Sequence, residues 1–156
     1  MNLARLMLIL VVLVIAGCVS RPTPEQMKMQ NVHQVDLSKE EIFDQSQEWM
    51  SEVFVDSKEV IELANPDTGT IIGKGMTKVY LMDMYETPAR FTMRVDIKDG
   101  KYRTTYDDWT GMYGEYNNEP RPLSTKNQVD QLEKGLRKMD QELLEYLKSG
   151  GSSDDW

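Results

Sequence analysis

Apolar and polar residues alternate most regularly around residues 89–106, which predicts a β-hairpin with one buried face. Between positions 89 and 98 every second residue is apolar, and the intervening residues are polar. The dipeptide Asp99-Gly100 is typical of a two-residue hairpin turn. In the resulting register Ile97 faces Tyr102 on the apolar side, and Asp96 faces Arg103 on the polar side. We therefore expect an antiparallel sheet with one face in contact with solvent.

Three further stretches have the composition or alternation of strands. Residues 59–64 and 70–81 predict two strands, because turn-forming residues fill positions 65–69 between them. His33, Val35 and Leu37 alternate with polar residues and predict a short first strand. Residues 110–124 contain glycines, prolines and the dipeptide Asn117-Asn118, which predicts a loop.

Helical spacing of apolar residues precedes and follows these strands. Residues 39–54 predict a first helix, with Ser38 and Glu41 placed as a capping box at its start. A second helix begins after Thr125, with Gln128 in the equivalent capping position, and ends before Gly150. The order strand, helix, four strands, helix predicts an α+β fold in which one antiparallel sheet packs under two helices.

The start of the chain has the pattern of an export signal. Residues 6–16 form an uninterrupted apolar run of eleven residues, which is too short for a membrane-spanning helix, since about 20 are needed. Its end, Ile15-Ala16-Gly17-Cys18, resembles the bacterial lipobox. The resemblance implies cleavage before Cys18 and attachment of fatty acyl chains to that cysteine. Because Val19 rather than aspartate follows Cys18, the resemblance favours the outer membrane of a Gram-negative cell over the inner membrane.

These patterns divide the chain into four parts. Residues 1–17 are the predicted signal peptide, and residues 18–31 comprise the lipidated Cys18 and a proline-containing tether. Residues 32–149 form the predicted domain, and residues 150–156 a frayed tail. We expect the lipid to hold the domain to a membrane, in the periplasm or at the cell surface.

Three segments of the predicted domain match a known pattern: residues 35–43, which lead to Trp49, residues 69–75 and residues 97–103. With these segments the chain resembles, over about residues 32–148, an uncharacterised family of domains with a TBP-like fold that occurs in bacterial lipoproteins. The resemblance implies the TBP-like fold and supplies no activity, cofactor or catalytic residue, because a fold does not confer a function.

Composition and charge exclude several classes of function. The 156 residues include 18 Lys plus Arg and 26 Asp plus Glu, a net charge of -8. Removing residues 1–17 takes away one arginine and leaves a charge of -9, which makes nucleic acid an unsuitable partner. One cysteine excludes an internal disulfide, and one histidine excludes a multi-histidine metal centre. We therefore predict a protein that is not an enzyme, with no catalytic residues, no cofactor and no metal.

Two groups of side chains are candidates for binding a partner. The first is aromatic and lies in or beside the predicted 110–124 loop: Trp109, Tyr113 and Tyr116. Aromatic and acidic residues in a loop are suited to a sugar or a peptide. The second group is basic, faces solvent on the predicted sheet and suits an acidic partner: Arg94 and Arg103, with Arg90, Lys74 and Lys78.

Three motifs have both a structural and a functional interpretation. Gly73-Lys74-Gly75 favours close helix packing over phosphate binding, because the glycines fall inside a strand. Met27-Lys28-Met29 and Met82-Asp83-Met84 have thioethers that suit Cu(I), although methionine also fills irregular cores. The last helix has a spacing that suits packing on the sheet or pairing with a second helix.

The sequence therefore predicts a lipid-anchored cell-envelope protein whose non-enzymatic domain binds another protein or an envelope polymer. One alternative is a periplasmic module that binds a small ligand or copper. The other is a structural oligomer formed through the last helix.

Overall fold

Six strands and two helices make up the described part of the chain, which in the computed structural model comprises residues 27–54, 60–81, 84–114 and 116–151. The elements follow the predicted alternation closely. In chain order they are β1 (Met29–Gln34), α1 (Lys39–Val53), β2 (Val60–Asn65), β3 (Thr70–Leu81), β4 (Tyr85–Lys98), β5 (Lys101–Tyr113), β6 (Glu119–Pro122) and α2 (Lys126–Ser149).

The strands form one antiparallel sheet in the order β1-β5-β4-β3-β2. The short strand β6 lies on the same side of β5 as β1, because β1 pairs with residues 101–106 of β5 and β6 with residues 110–113. Buried residues of α1 and α2 join the inward residues of the strands in one core. The predicted α+β fold is confirmed, although the sheet has six strands rather than five.

The β4–β5 hairpin has the predicted register. Ile97 lies opposite Tyr102, and Asp96 lies opposite Arg103. Gly100 completes the turn with φ +72, a left-handed conformation that glycine adopts without a steric penalty. Because Ile97 and Tyr102 are 3% and 1% exposed, the apolar side of the hairpin is the buried side.

Both helices begin at the predicted caps. The Ser38 hydroxyl accepts a hydrogen bond from the Glu41 N–H, and the Glu41 carboxylate accepts one from the Ser38 N–H at 2.8 Å, which completes the capping box. The Thr125 hydroxyl accepts from the Gln128 N–H at 3.2 Å, but the Gln128 side chain accepts from the Ser124 N–H at 3.1 Å. The second cap is therefore a capping box displaced by one residue.

Gly73 and Gly75 of β3 allow α1 to approach the sheet. A Cβ atom at Gly73 would lie 2.8 Å from Met50 Cε and 2.9 Å from Phe54 Cε2. At Gly75 it would lie 2.5 Å from Phe91 Cζ and 3.0 Å from Phe54 Cε1. Since these separations are too short for real carbon atoms, the packing interpretation of Gly73-Lys74-Gly75 is confirmed.

The predicted loop at residues 110–124 is wrong, because most of that segment is β-structure. β5 continues to Tyr113, and the chain returns antiparallel to it as β6. Gly114 and Asn117 supply the positive φ values, +88 and +51, that the connecting turn needs. Proline is compatible with β6 because, among the residues that the structure describes, this strand pairs with β5 alone, so a missing N–H can face outward.

A β-bulge at Asp108 interrupts the alternation of inward and outward side chains along β5. For this reason the sequence pattern did not predict that the strand continues past Asp108. Asp108 has φ +55 and lies between the cross-strand pairs Thr92–Asp107 and Arg90–Thr110. The extra residue reverses the alternation of inward and outward side chains. Trp109 therefore turns into the core, with 3% exposure.

β1 lies earlier in the chain than predicted. It spans Met29–Gln34, so the folded domain begins inside the segment 18–31 that was assigned to the tether. The Val35 N–H donates to the Gly100 carbonyl at 3.1 Å, and the Leu37 carbonyl accepts from the Gly100 N–H at 3.0 Å. These bonds direct the chain over the hairpin turn toward α1, so residues 35–37 leave the ladder. β4 also begins earlier than predicted, at Tyr85.

Several predictions concern residues outside the described part of the chain. Residues 1–26, with the predicted signal peptide and Cys18, lie there, as do residues 152–156 of the predicted tail. Neither described helix is long and apolar enough to cross a membrane. The signal peptide, the lipid and the outer-membrane location therefore stay predictions.

Candidate functional site

The sheet face opposite the helices, here called the open face, carries an ion-pair network centred on Asp96. Arg94 Nε lies 2.9 Å from Asp96 Oδ1, and Arg103 Nη2 lies 2.8 Å from Asp96 Oδ2. Thr70 adds a hydroxyl at 3.4 Å from Oδ1. The structure thus brings together the two arginines that the sequence suggested as contact residues, and their side chains remain 47% and 48% exposed.

This network lowers the pKa of Asp96. Partial burial raises the pKa of the carboxyl, but hydrogen bonds from Arg103 and Arg94 outweigh that effect and hold it below the ordinary value. The unfolded chain has the ordinary pKa of about 4. The carboxylate therefore contributes stability above that pH, and the contribution is lost as the pH falls through the folded-state pKa.

We expect Asp96→Asn to weaken the acid dependence of stability. At pH 7 the substitution should lower the free energy of unfolding by less than about 1 kcal/mol, because both arginines are half exposed. The difference in stability between pH 7 and pH 3 should become smaller than in the wild type. Urea denaturation at both pH values measures this, and an unchanged difference would contradict the role given to Asp96.

The predicted basic patch on the open face is a mixed-charge surface. Lys74 Nζ lies 2.7 Å from Glu62 Oε1, and Lys78 Nζ lies 2.9 Å from Glu86 Oε1. The sequence pattern located the cations correctly, but it did not show the acids that neighbouring strands place beside them. Arg90 is half-buried in the same face. A partner would therefore meet alternating charges rather than a uniformly basic surface.

A second acidic site lies at the bulge of β5. The Thr92 hydroxyl donates to Asp108 Oδ2 at 3.2 Å. Burial, together with the neighbouring Asp108 carboxylate, raises the pKa of Asp107 above its ordinary value, although Lys28 and Arg94 act in the opposite direction. The bulge thus places two carboxylates next to the arginine network on the open face.

The three aromatic contact candidates occupy different environments. Trp109 belongs to the core, with 3% exposure, so it is not available to a partner and its prediction as a contact residue is corrected. Tyr113 is half-buried, and the Arg121 guanidinium lies 5.8 Å from its ring centroid. Tyr116 is 75% exposed at the β5–β6 turn. Only the two tyrosines therefore remain candidates.

The aromatic and basic candidates do not form one site. Arg103 and Tyr113 are ten residues apart on β5, which at about 3.3 Å per residue separates them by about 30 Å. The open-face network and the β5–β6 turn are therefore two separate surfaces at opposite ends of one strand.

A buried polar cluster between β1 and α2 was missed by the sequence analysis. Asp140, which is 4% exposed, accepts hydrogen bonds from Thr104 Oγ1 at 2.5 Å, Asn31 Nδ2 at 2.9 Å and His33 Nε2 at 2.8 Å. The signal for it was weak but present, because Asn31 and His33 alternate on one side of β1, and Asp140 interrupts the apolar stripe of α2.

A cavity of about 710 Å³ opens beside this cluster at the outer edge of the sheet. We call it the edge cavity. Asn31, His33 and Asp140 form its inner wall, and Lys134, Arg137 and Lys138 of α2 line its rim. With its polar floor, the basic side chains at its rim and the adjacent strand edge, the edge cavity is a further candidate for a binding surface.

The two methionine pairs have different surroundings. Met29 is 5% exposed and Met27 packs against the core, so the thioethers of the first methionine pair have a structural role. Met84 is 76% exposed, and Met82 lies outside the described residues. Within the described ranges no group of three or more His, Cys, Asp or Glu residues could hold a metal ion.

The apolar stripe of α2 packs inside its own domain. Leu132, Leu136 and Leu143 are 0% exposed, so packing within the domain accounts for the apolar stripe, and no helix of another molecule is needed to explain it. On the surface of this helix Glu133 pairs with Arg137, and Asp130 pairs with Lys126 at 2.7 Å.

One antiparallel sheet with two helices on one face and an open second face defines a domain of the TBP-like class. The chain belongs to the family described as "Domain of unknown function (DUF4468) with TBP-like fold", whose family model matches residues 29–110. The resemblance noted in the sequence is thereby confirmed, and the match starts at the first residue of β1.

Solved structures agree with this assignment. A TBP-like protein from Parabacteroides distasonis aligns with a TM-score of 0.64 at 15% identity, covering 77% of this chain and 91% of the other. A DUF4468 family protein from Bacteroides ovatus aligns with a TM-score of 0.60 at 15% identity, covering 87% and 93%. At this identity the likeness concerns the fold alone. No curated protein matches the sequence.

Proposed function

We propose that this protein is anchored in the cell envelope by lipid on Cys18 and that its TBP-like domain is a non-enzymatic binding module. The order of apolar run, small residues and sole cysteine supports the anchor. The absence of aspartate after Cys18 favours the outer membrane. Since β1 begins at Met29, about ten residues would separate the lipid from the domain, enough to span about 35 Å when extended.

The observation that carries the binding role is the open face itself. No described helix or strand covers it, yet its arginines are fixed by Asp96 in defined positions with about half of each side chain exposed. Fixed, half-exposed guanidinium groups can bind carboxylates or phosphates without first losing much side-chain entropy. A protein or a polymer of the envelope is the kind of partner that this surface suits.

Lipid attachment is tested by substitution of the modified residue. In cells supplied with labelled palmitate we expect the wild type and Ser20→Ala to incorporate label, and Cys18→Ala to incorporate none. Ser20→Ala is the matched control because it lies just outside the lipobox. Wild-type protein that carries no fatty acyl chain by mass spectrometry would rule out the anchor.

The binding role is tested by photo-crosslinking in cells. A photoreactive residue at Thr92, on the open face, should give a discrete adduct, and one at Asn127, exposed in the first turn of α2, should not. Arg94→Glu combined with Arg103→Glu should remove the adduct. If Thr92 gives no adduct and the purified protein turns over a substrate, the proposal is wrong.

A further inference from the structure

Three of the strand edges in the described sheet carry a feature that opposes addition of another strand. β6 has prolines at 120 and 122, between which lies the charged Arg121. β2 has an irregular register between Ile61 and Leu63, next to the charged Glu62. Prolines, charges and bulges at an edge are the usual means by which proteins prevent edge-to-edge pairing.

The third protected edge belongs to the upper part of β3, beyond its pairing with β2. There the Tyr80 N–H donates to Gln131 Oε1 at 2.9 Å, and Gln131 Nε2 donates to the Tyr80 carbonyl at 3.2 Å. One side-chain amide of α2 thus satisfies both backbone groups of an edge residue, as a neighbouring strand would.

β1 differs from these edges. Its six residues include no charged residue and no proline, and its register with β5 is regular. Val32, in the middle of the strand, is 64% exposed. Within the described residues β1 pairs on one side only, because it is the terminal strand of the sheet.

The direction of the free backbone groups follows from the ladder. The Val35 N–H donates toward β5, and alternate residues of an antiparallel strand face alternate sides. The N–H and C=O groups of Met29, Asn31 and His33 therefore face β5. Those of Gln30, Val32 and Gln34 face outward, where an incoming strand can pair with them.

The surroundings of this edge favour an acidic partner. On the helix side lie Lys134 and the exposed side chains of Arg137 and Lys138. Arg137 and Lys138 also pair with acids on α2. The acidic wall residue Asp140 is buried and already accepts three hydrogen bonds. The six residues of β1 include no acidic residue, so a second copy of β1 would offer no charge partner to Lys134.

We propose that β1 is a docking edge for an extended, acidic segment of another protein, which adds as a further strand beside β1. The backbone of the incoming segment pairs with Gln30, Val32 and Gln34. Every second side chain of that segment enters the edge cavity, where its carboxylates contact Lys134 and Lys138. This inference rests on the binding role proposed above and names the partner as an extended acidic peptide.

The test uses the full chain in detergent and two labelled eight-residue peptides, one alternating valine and glutamate, the other valine and lysine. Fluorescence anisotropy should show binding of the glutamate peptide with a Kd below about 1 mM, and binding of the lysine peptide weaker by about tenfold or more. Hydrogen exchange should slow at the outward amides of Gln30, Val32 and Gln34 when the glutamate peptide binds, and change little at Met29, Asn31 and His33.

Val32→Pro removes an outward N–H, which the strand can lose without breaking its ladder with β5. We expect it to weaken binding about tenfold or more, and Val32→Thr, which keeps the N–H, to preserve binding. Lys134→Glu with Lys138→Glu should weaken binding of the glutamate peptide about tenfold and improve that of the lysine peptide. Lys148→Glu, farther along α2, is the control for charge alone.

Several results would overturn the inference. The first is no binding of the glutamate peptide at about 1 mM. The second is that folded Val32→Pro protein binds this peptide as tightly as the wild type. The third is that Lys134→Glu with Lys138→Glu leaves the affinity for both peptides unchanged. Slow exchange of the outward amides of Gln30, Val32 and Gln34 in the free protein would show that the chain's own N-terminal segment or a second copy already covers the edge. A Thr92 adduct that persists in Val32→Pro would leave the open-face role standing, so the two proposals fail separately.

Discussion

Replacing Asp140 with alanine is expected to lower the free energy of unfolding by about 3 kcal/mol. The carboxylate is 4% exposed and accepts hydrogen bonds from Thr104, Asn31 and His33. Alanine would leave the fully buried Thr104 hydroxyl without its acceptor, so the desolvation of that hydroxyl would be uncompensated. It would also remove the acceptor shared by Asn31 and His33, which are only partly exposed at the wall of the edge cavity. Urea denaturation at pH 7 measures the loss.

Asp130→Ala is the matched control, because Asp130 is an exposed aspartate on the same helix. Its ion pair with Lys126 spans one turn at the surface, so its loss should cost less than about 0.5 kcal/mol. Asp140→Asn keeps one acceptor oxygen and should fall between the two variants. A loss in Asp140→Ala no larger than in Asp130→Ala would show that the cluster contributes little to stability.

Gly75→Ala should destabilise the domain by about 2 kcal/mol, because the added carbon has no space in the core. It would lie 2.5 Å from Phe91 Cζ and 3.0 Å from Phe54 Cε1. The ring of Phe91 is fully buried against Tyr106 and Phe54, so it cannot move away without shifting both. Thermal or urea denaturation, followed by circular dichroism, measures the change.

The same substitution at Gly135 should have the opposite sign. Gly135 lies on the exposed side of α2, and a Cβ atom there would meet no other atom within 4 Å. Alanine is the better helix former by about 1 kcal/mol, so Gly135→Ala should stabilise the domain. If both variants lost similar stability, the lack of space beside the rings of Phe91 and Phe54 would not be the reason for Gly75.

Local signals explain which parts of the fold were predictable. Asp99-Gly100 determines the turn, and the turn determines the register of both flanking strands, so the β4–β5 pairing followed from adjacent residues. Ser38 with Glu41 identified the start of α1 in the same way. Neither prediction needed information about distant parts of the chain.

The errors have a common physical origin in contacts between distant residues. The bulge at Asp108 reverses the side-chain alternation, so Trp109 enters the core although its neighbours suggested a surface loop. Likewise, Lys74 and Lys78 were expected to form a basic patch, but Glu62 and Glu86 face them across strand pairs. Such partners become visible only when the order of strands is known.

The edge cavity could not be located from the sequence for the same reason. Its walls come from β1 and α2, which are more than 90 residues apart in the chain. His33 and Asp140 each have an ordinary structural explanation when considered alone. Their proximity depends on β1 pairing with β5 and on α2 crossing the sheet above that pair.

The link between β1 and α2 also determines when the growing polypeptide can finish folding. Met29 pairs with Tyr106, and Asn31 and His33 bind Asp140. β1 therefore cannot pair in the sheet until β5 is present. Its buried polar contacts also require most of α2. A chain that ends before residue 140 would hold a strand with no acceptor for its inward polar groups, so truncated forms of that length should be more sensitive to protease than the full chain.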